Sequence, residues 1–360
     1  VVLVVVVVVG LPLTQGLPCV PGAMIAAVLG TGGLACALHL LWQRFCQKTI
    51  SVSGKHVFIT GGSQGLGRAL AEICFQKGAR VTIVARTSSK LQQACEEIRK
   101  LPAADGASIQ YFTLDVSSVK LQQFADLMGK AAETFGRVDV LVANAGTGNG
   151  KLLVGTPFEE LDELMESQIS VNLLGGLRCV TAAAQLMSSD GLGGRISIVS
   201  SAAGLISLPG YAIYSATKFG HRGFLAGAYH EFRRHGVHLS VYYPGSIRTP
   251  GFQQEQEACP RVTARIEAQC SEISSAESVA AVLLKGIESG AREITNELLP
   301  SLVVDSPTGC APIDALIGAV VQLIRAGWSV YLRIMSNLYI EPIASSSKAA
   351  GVKAGDPKRD

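Results

Sequence analysis

The middle of this chain predicts an α/β domain, a doubly wound parallel sheet with helices on both faces. Three observations carry that expectation. Between Gly54 and about Gly290, short β-branched apolar runs alternate with longer segments of helical period, the first run ends in a glycine-rich turn, and no internal repeat or linker divides the region. With 360 residues, 48% of them apolar, the chain can bury one such core and leave segments over at both ends. A single domain with extensions is therefore expected.

Residues 1–43 contain no Asp, Glu, Lys or Arg, which is longer than the roughly 20 apolar residues that cross a bilayer. The better span is about 20–42, because it ends in the interfacial aromatic Trp42 and is followed by Arg44, Lys48 and Lys55. A membrane anchor is expected there, with the remainder on the cytosolic side. A cleaved signal peptide or a misread start are the alternatives, the first weakened by the missing basic n-region.

The strands of the domain are read at His56–Thr60, Arg80–Ala85, Ile109–Leu114, Val138–Val142, Arg195–Ser200 and Val237–Tyr243, with helices between them. The first strand runs into Thr60-Gly61-Gly62-Ser63-Gln64-Gly65-Leu66-Gly67-Arg68. Glycines let backbone approach a pyrophosphate, and the following helix offers unpaired N–H groups and a favourable dipole. Alone such a turn has an even claim to be an ordinary loop, but its place after the first strand makes a Rossmann-type dinucleotide site the expectation. The second strand ends Val84-Ala85-Arg86, where an acid would bind the ribose of NAD. Arginine there, with no acid between Val81 and Lys90, favours the 2′-phosphate of NADPH, unless Arg86 is only a solvated surface residue. Arg68 is a weaker candidate for the same phosphate. Asp115, after the third strand, is placed to accept from an adenine amino group, or else to cap a helix.

The segment from Phe158 to Met187 is long for one helix, and Asn172, Gly175 and Gly176 mark a kink in its middle. Ser201 closes the fifth strand, and strand ends are where open α/β sheets bind ligands. Thirteen residues later, Tyr214 and Lys218 stand four apart on one helix face. Hydride attack on a ketone builds negative charge on its oxygen, so an acid must deliver a proton there. A free phenol titrates near 10 and needs a cation beside it; lowering it by about two to three pH units corresponds to about 3 to 4 kcal/mol. Lys218 would supply that cation, and Ser201 would hold the carbonyl. The bland alternative is an amphipathic-helix pair and a cap.

At these residues the chain resembles the short-chain dehydrogenase/reductase family, over about Gly54 to Phe252. The matching features are the TGxxxGxG turn, Asp115-Val116, Asn144-Ala145-Gly146, Asn172, Ser201, the YxxxK pair, and Pro244-Gly245 with Thr249; Ala143 departs from the Asn common at its place. The resemblance implies a catalytic set of Tyr214, Lys218, Ser201 and Asn172, with Asn172 ordering a relay water and Lys218 also holding the nicotinamide ribose. It implies cofactor contacts from Gly61, Ser63, Gln64, Gly65, Leu66 and Gly67, then Arg86, Lys90, Asp115, Val116 and Asn144. Tyr214, Lys218, Pro244, Gly245, Ile247 and Thr249 complete them, with Thr249 to Phe252 opening a loop over the nicotinamide. Within the family, the run from Tyr243 to Phe252 and both apolar ends are similar to the branch that reduces a long-chain sphingoid ketone with NADPH at the endoplasmic reticulum. That implies a membrane lipid environment and a catalytic domain facing the cytosol.

The polar residues Asp314, Gly318, Gln322, Arg325, Ser329, Arg333 and Ser336 form one stripe on an otherwise apolar helix within 311–340. It either lies in a membrane interface or packs on protein. The Ser-, Ala-, Gly- and Lys-rich tail, 344–360, is expected to be disordered. A net charge of +3 without a basic stripe argues against nucleic acid as a partner. Nine cysteines without zinc-ligand spacing suit a reducing compartment, where buried thiols act as small apolar groups. His221, His230, His235 and His238 are close in sequence, but a helix surface explains them and no metal is predicted. The sequence leaves open whether the chain forms a homo-oligomer.

Overall fold

The computed structural model describes residues 49–270 and 273–296, so the segments at 1–43, 311–340 and 344–360 lie outside the described residues. Seven parallel strands build the main sheet, in the order β3-β2-β1-β4-β5-β6-β9. They are β1 (His56–Thr60), β2 (Arg80–Ala85), β3 (Ser108–Thr113), β4 (Val140–Ala143), β5 (Gly194–Val199), β6 (Val237–Tyr243) and β9 (Glu293–Thr295). Strands buried on both faces need continuous apolar runs, and β1 reads HVFIT with every residue buried. A two-residue pair, β7 (Ile247–Arg248) with β8 (Ser274–Ser275), sits apart.

Helices cover both faces. On one, α1 (Gly65–Gln76) and α2 (Ser88–Ile98) share a core with α8 (Ala276–Ser289), through Leu70, Leu91 and Leu283. On the other, α3 (Leu121–Phe135), α5 (Gly176–Ser189) and α6 (Ala212–Arg234) pack around Phe58, Phe124 and Met187. Phe58 and Phe124 meet edge to face, ring centroids 5.6 Å apart. Cys74, Cys95 and Cys179 are free and buried, serving as small apolar residues, while Cys259 is only half-buried.

The strands predicted at the first, second and sixth places have the expected bounds; the third and fifth begin one residue earlier and the fourth two later. The domain also extends past both predicted limits. Ile50 N–H donates to Glu288 O at 2.8 Å and Val52 is fully buried, so the chain docks before Gly54. Beyond Gly290, β9 adds a short edge strand whose one buried residue, Ile294, gives no periodic signal.

The kink expected near Asn172 is a π-helical turn, Ile169–Gly175, between α4 (Phe158–Gln168) and α5. Glycine suits it because a Cβ on Gly175 would lie 2.8 Å from Val116 O. The run Phe158–Ser189 is long and apolar enough to span a membrane by composition. Its Cys179, Val180 and Ala183 are instead buried in the domain core, which identifies it as an internal helix.

Candidate active site

Strand order reverses between β1 and β4, so the connections that leave their carboxyl ends diverge and open a crevice. A cleft of ≈ 590 Å³ fills it, running from the loop after β2 past β5 to α7 (Pro250–Ala258). Of the catalytic and cofactor residues predicted above, all but Gly67, Asn172 and Arg68 border it.

The glycine turn is clamped from behind. Thr60 Oγ1 accepts from the N–H groups of Asn144 and Ala145, both at 3.1 Å, and Asn144 Nδ2 donates to Thr60 O and Gly61 O at 3.0 and 3.2 Å. Asn144 thus positions the turn. Gly61 and Gly65 take φ of +69° and +56°, the left-handed region that glycine enters without strain. Gly67 faces inward instead, where a Cβ would collide with Gly61 O. It is a packing glycine and not a cleft residue. The start of α1 borders the cleft, which gives an anion a helix N-terminus.

At the β2 end, Arg86 is exposed and has no ion pair among the described residues, and Lys90 Nζ donates to Gln64 Oε1 at 3.4 Å. Arg68 does not join them, because its guanidinium is held by Glu72 at 2.9 Å and Glu97 at 2.6 Å. Asp115 Oδ1 accepts from Ser117 N–H and Oγ–H at 2.9 and 2.8 Å. It closes a local turn and does not cap a helix, since α3 begins behind Lys120.

Tyr214 and Lys218 lie one turn apart on α6, both within the cleft wall. Ser201 caps a short 3₁₀ turn (Ala202–Gly204) by accepting from Ala203 N–H at 3.1 Å, and its hydroxyl also contacts the Tyr214 phenol. Lys218 Nζ donates to Val199 O at 3.2 Å and sits 5.5 Å from the Tyr214 ring centroid. Burial lowers this ammonium to about 8. The phenol is not lowered as expected. Burial, then the charge of Glu255, holds Tyr214 well above its ordinary range, against a smaller opposing pull from Ser201.

Asn172 is buried behind this pair, with Oδ1 accepting from Thr147 N–H and Nδ2 donating to Thr147 O, each at 2.8 Å. Its amide is committed to fixing the loop after β4. Its carbonyl accepts from His221 Nε2 at 2.8 Å, so the imidazole proton is on Nε2. His221 is therefore a buried residue next to the machinery, not the surface histidine predicted; His230 and His235 are exposed. Burial, then the Lys218 charge, pushes it down to about 3, and its Nδ1 has no partner.

Thr249 does not open a loop but caps α7, accepting from Phe252 N–H at 3.1 Å. That helix brings Glu255 to the cleft, and Tyr211 joins it from one turn before Tyr214. Neither residue was singled out from the sequence. The Tyr211–Tyr214 spacing of three carried a signal, whereas Glu255 comes to the site only through the chain's return after β6.

The arrangement offers a dinucleotide cleft with an acid, a cation and a hydroxyl at one end. A family model described as short chain dehydrogenase matches residues 55–260. A 3-dehydrosphinganine reductase of Arabidopsis thaliana is 34% identical over 281 residues, 78% of this chain and 81% of that protein. A 3-ketodihydrosphingosine reductase of Mus musculus is 31% identical over 306 residues, 84% of this chain and 90% of that one. Among solved structures, a short-chain type dehydrogenase/reductase from Mycobacterium marinum superposes with a TM-score of 0.59 at 25% identity, covering 69% of this chain and 95% of its own.

Proposed function

The chain belongs to the short chain dehydrogenase family, and from that premise we propose that it reduces 3-ketodihydrosphingosine to sphinganine with NADPH. The observation that carries the reading is the similarity to reductases of that name across four fifths or more of their length. It is an oxidoreductase acting on a ketone.

The cleft suits a phosphorylated dinucleotide on its own chemistry, with a helix N-terminus and the unpaired Arg86 at its β2 end. Gly61, Gly65 and Leu66 would hold the pyrophosphate, Arg86 and Lys90 the 2′-phosphate, and Asp115 the adenine. When bound, the cofactor supplies the hydride. Ser201 donates to the substrate carbonyl and fixes it. Tyr214 delivers its proton to the oxygen as negative charge develops, and its high pKa keeps the proton in place until then. Lys218, still largely cationic at neutral pH, stabilises the phenolate left behind. Asn172 acts through Thr147, holding the loop that walls the site.

The localisation rests on the sequence. A span at about 20–42 would anchor the enzyme in the endoplasmic reticulum membrane with the domain in the cytosol, within reach of a substrate dissolved in lipid. The test is turnover by the full chain in detergent, supplied with NADPH and either 3-ketodihydrosphingosine or a steroid or retinoid ketone. Sphinganine should be the product detected by mass spectrometry. Its absence, with turnover of a steroid or retinoid ketone, would replace the sphingoid reading.

A further inference from the structure

Reduction of a carbonyl by Tyr214 needs no carboxylate, yet one stands beside it. Glu255 lies on α7 with its carboxyl group against Gly148, where a Cβ would come within 2.6 Å of Cδ. The Tyr211 hydroxyl, 3.9 Å from Cys259 Sγ, is near enough to favour the ionised form of Glu255, and the Tyr211 ring centroid is 5.6 Å from that of Tyr214. Glu255 lines the same cleft as Tyr211 and the proton donor. Behind it, Glu267 is fully engaged, Oε1 accepting from Ser246 Oγ at 2.6 Å and Oε2 from Gln256 Nε2 at 2.8 Å. Glu255 itself forms no ion pair with Lys or Arg among the described residues.

This placement works against the reaction when Lys218 is the only cation in the cleft, since it must then serve both the phenolate and Glu255. A carboxylate near the phenol opposes formation of phenolate, and its own burial, then the charge of Glu267, raise the pKa of the Glu255 carboxyl against the pulls of Tyr211 and Lys218. A cation brought by the substrate offsets both costs. A sphingoid 3-ketone brings one, because its C2 ammonium is on the carbon next to the carbonyl. With the carbonyl oxygen at Tyr214 and Ser201, that ammonium must fall within a few ångströms of the phenol, in the cleft that Glu255 also lines.

We propose that Glu255 is the specificity-determining residue that holds the substrate's ammonium group, selecting α-amino ketones over neutral ketones. This rests on the sphingoid reading above. Gly148 leaves room for the carboxylate, since any Cβ there would meet it.

The test compares 3-ketodihydrosphingosine with its deamino analogue, 1-hydroxyoctadecan-3-one, on the full chain and its Glu255→Gln variant, following both NADPH oxidation and alcohol formation. The parent should prefer the amino ketone in kcat/KM, and the variant should reduce that preference about 10- to 100-fold, mainly through KM. A variant that lowers both substrates by one factor, or neither, overturns the proposal. Glu255→Asp provides a second arm, since a shortened carboxylate should retain part of the preference that the amide loses; equal loss in both variants also overturns it. If the parent forms no sphinganine, the sphingoid reading itself fails. A short α-amino ketone against its deamino counterpart would still test the residue.

Discussion

Tyr214 and Lys218 were legible because one helical turn places residues four apart on a single face, but the acidity of the phenol was not. It depends on burial and on Glu255, which arrives from another element. Substituting Tyr214 by Phe removes the proton donor while leaving the ring that packs beside Tyr211. The expected result is a loss of about 10²–10⁴ in kcat, with NADPH affinity by fluorescence titration changed little. Retained turnover would reassign the donor. His221 shows the opposite failure, since four nearby histidines suggest a surface while the fold buries this one. Its folded pKa of about 3 is below the unfolded value of 6.5. The unfolded chain therefore binds more protons between pH 6.5 and 3, so His221 contributes no penalty above 6.5 and stability falls as pH drops through that window. His56 is lowered as well, chiefly by burial, and acts in the same direction. Urea titrations between pH 7 and 4.5 should give a slope approaching about 1.4 kcal/mol per pH unit for each such proton. His221→Asn, which retains an N–H donor for Asn172 but cannot titrate, should flatten it; an unaltered slope would show that other groups dominate.

At the scale of elements, apolar periodicity gave the strands of the sheet interior to within two residues, since strands buried on both faces must be apolar throughout. It missed β9 because three residues with one buried side chain have no period. Glycines and length gave the irregular turn in the long helix, though not its π geometry, and there the helix crosses the loop after β3. Gly175 is the contact point, and Val116 on the other side borders the cleft. Gly175→Ala would push a methyl into Val116 O, at an expected cost of about 1–3 kcal/mol and with weaker dinucleotide binding through the displaced loop. Chemical denaturation and NADPH titration of the variant measure the two effects. A stable variant with normal binding would mean that the turn relaxes independently of the loop.

At the scale of the molecule, the two faces of the sheet carry separate cores, and the cleft joins the loops that leave both. Anything bound across it links α1 on one face to α6 on the other and must stabilise the whole domain, because it binds only the folded chain. At 100 times its Kd a ligand adds about 2.7 kcal/mol, which for a domain of this size is a rise of about 5–11 °C in Tm. NADPH should raise Tm more than NADH at equal concentration, since only its 2′-phosphate can meet the unpaired Arg86. Arg86→Asp should invert that order, because a carboxylate repels the phosphate and accepts from a free ribose hydroxyl. Arg68→Ala should leave the order intact, since Glu72 and Glu97 already hold that guanidinium away from the cleft. Differential scanning with both cofactors on the three proteins separates these outcomes, and a parent indifferent to the 2′-phosphate would place cofactor choice outside the β2 loop.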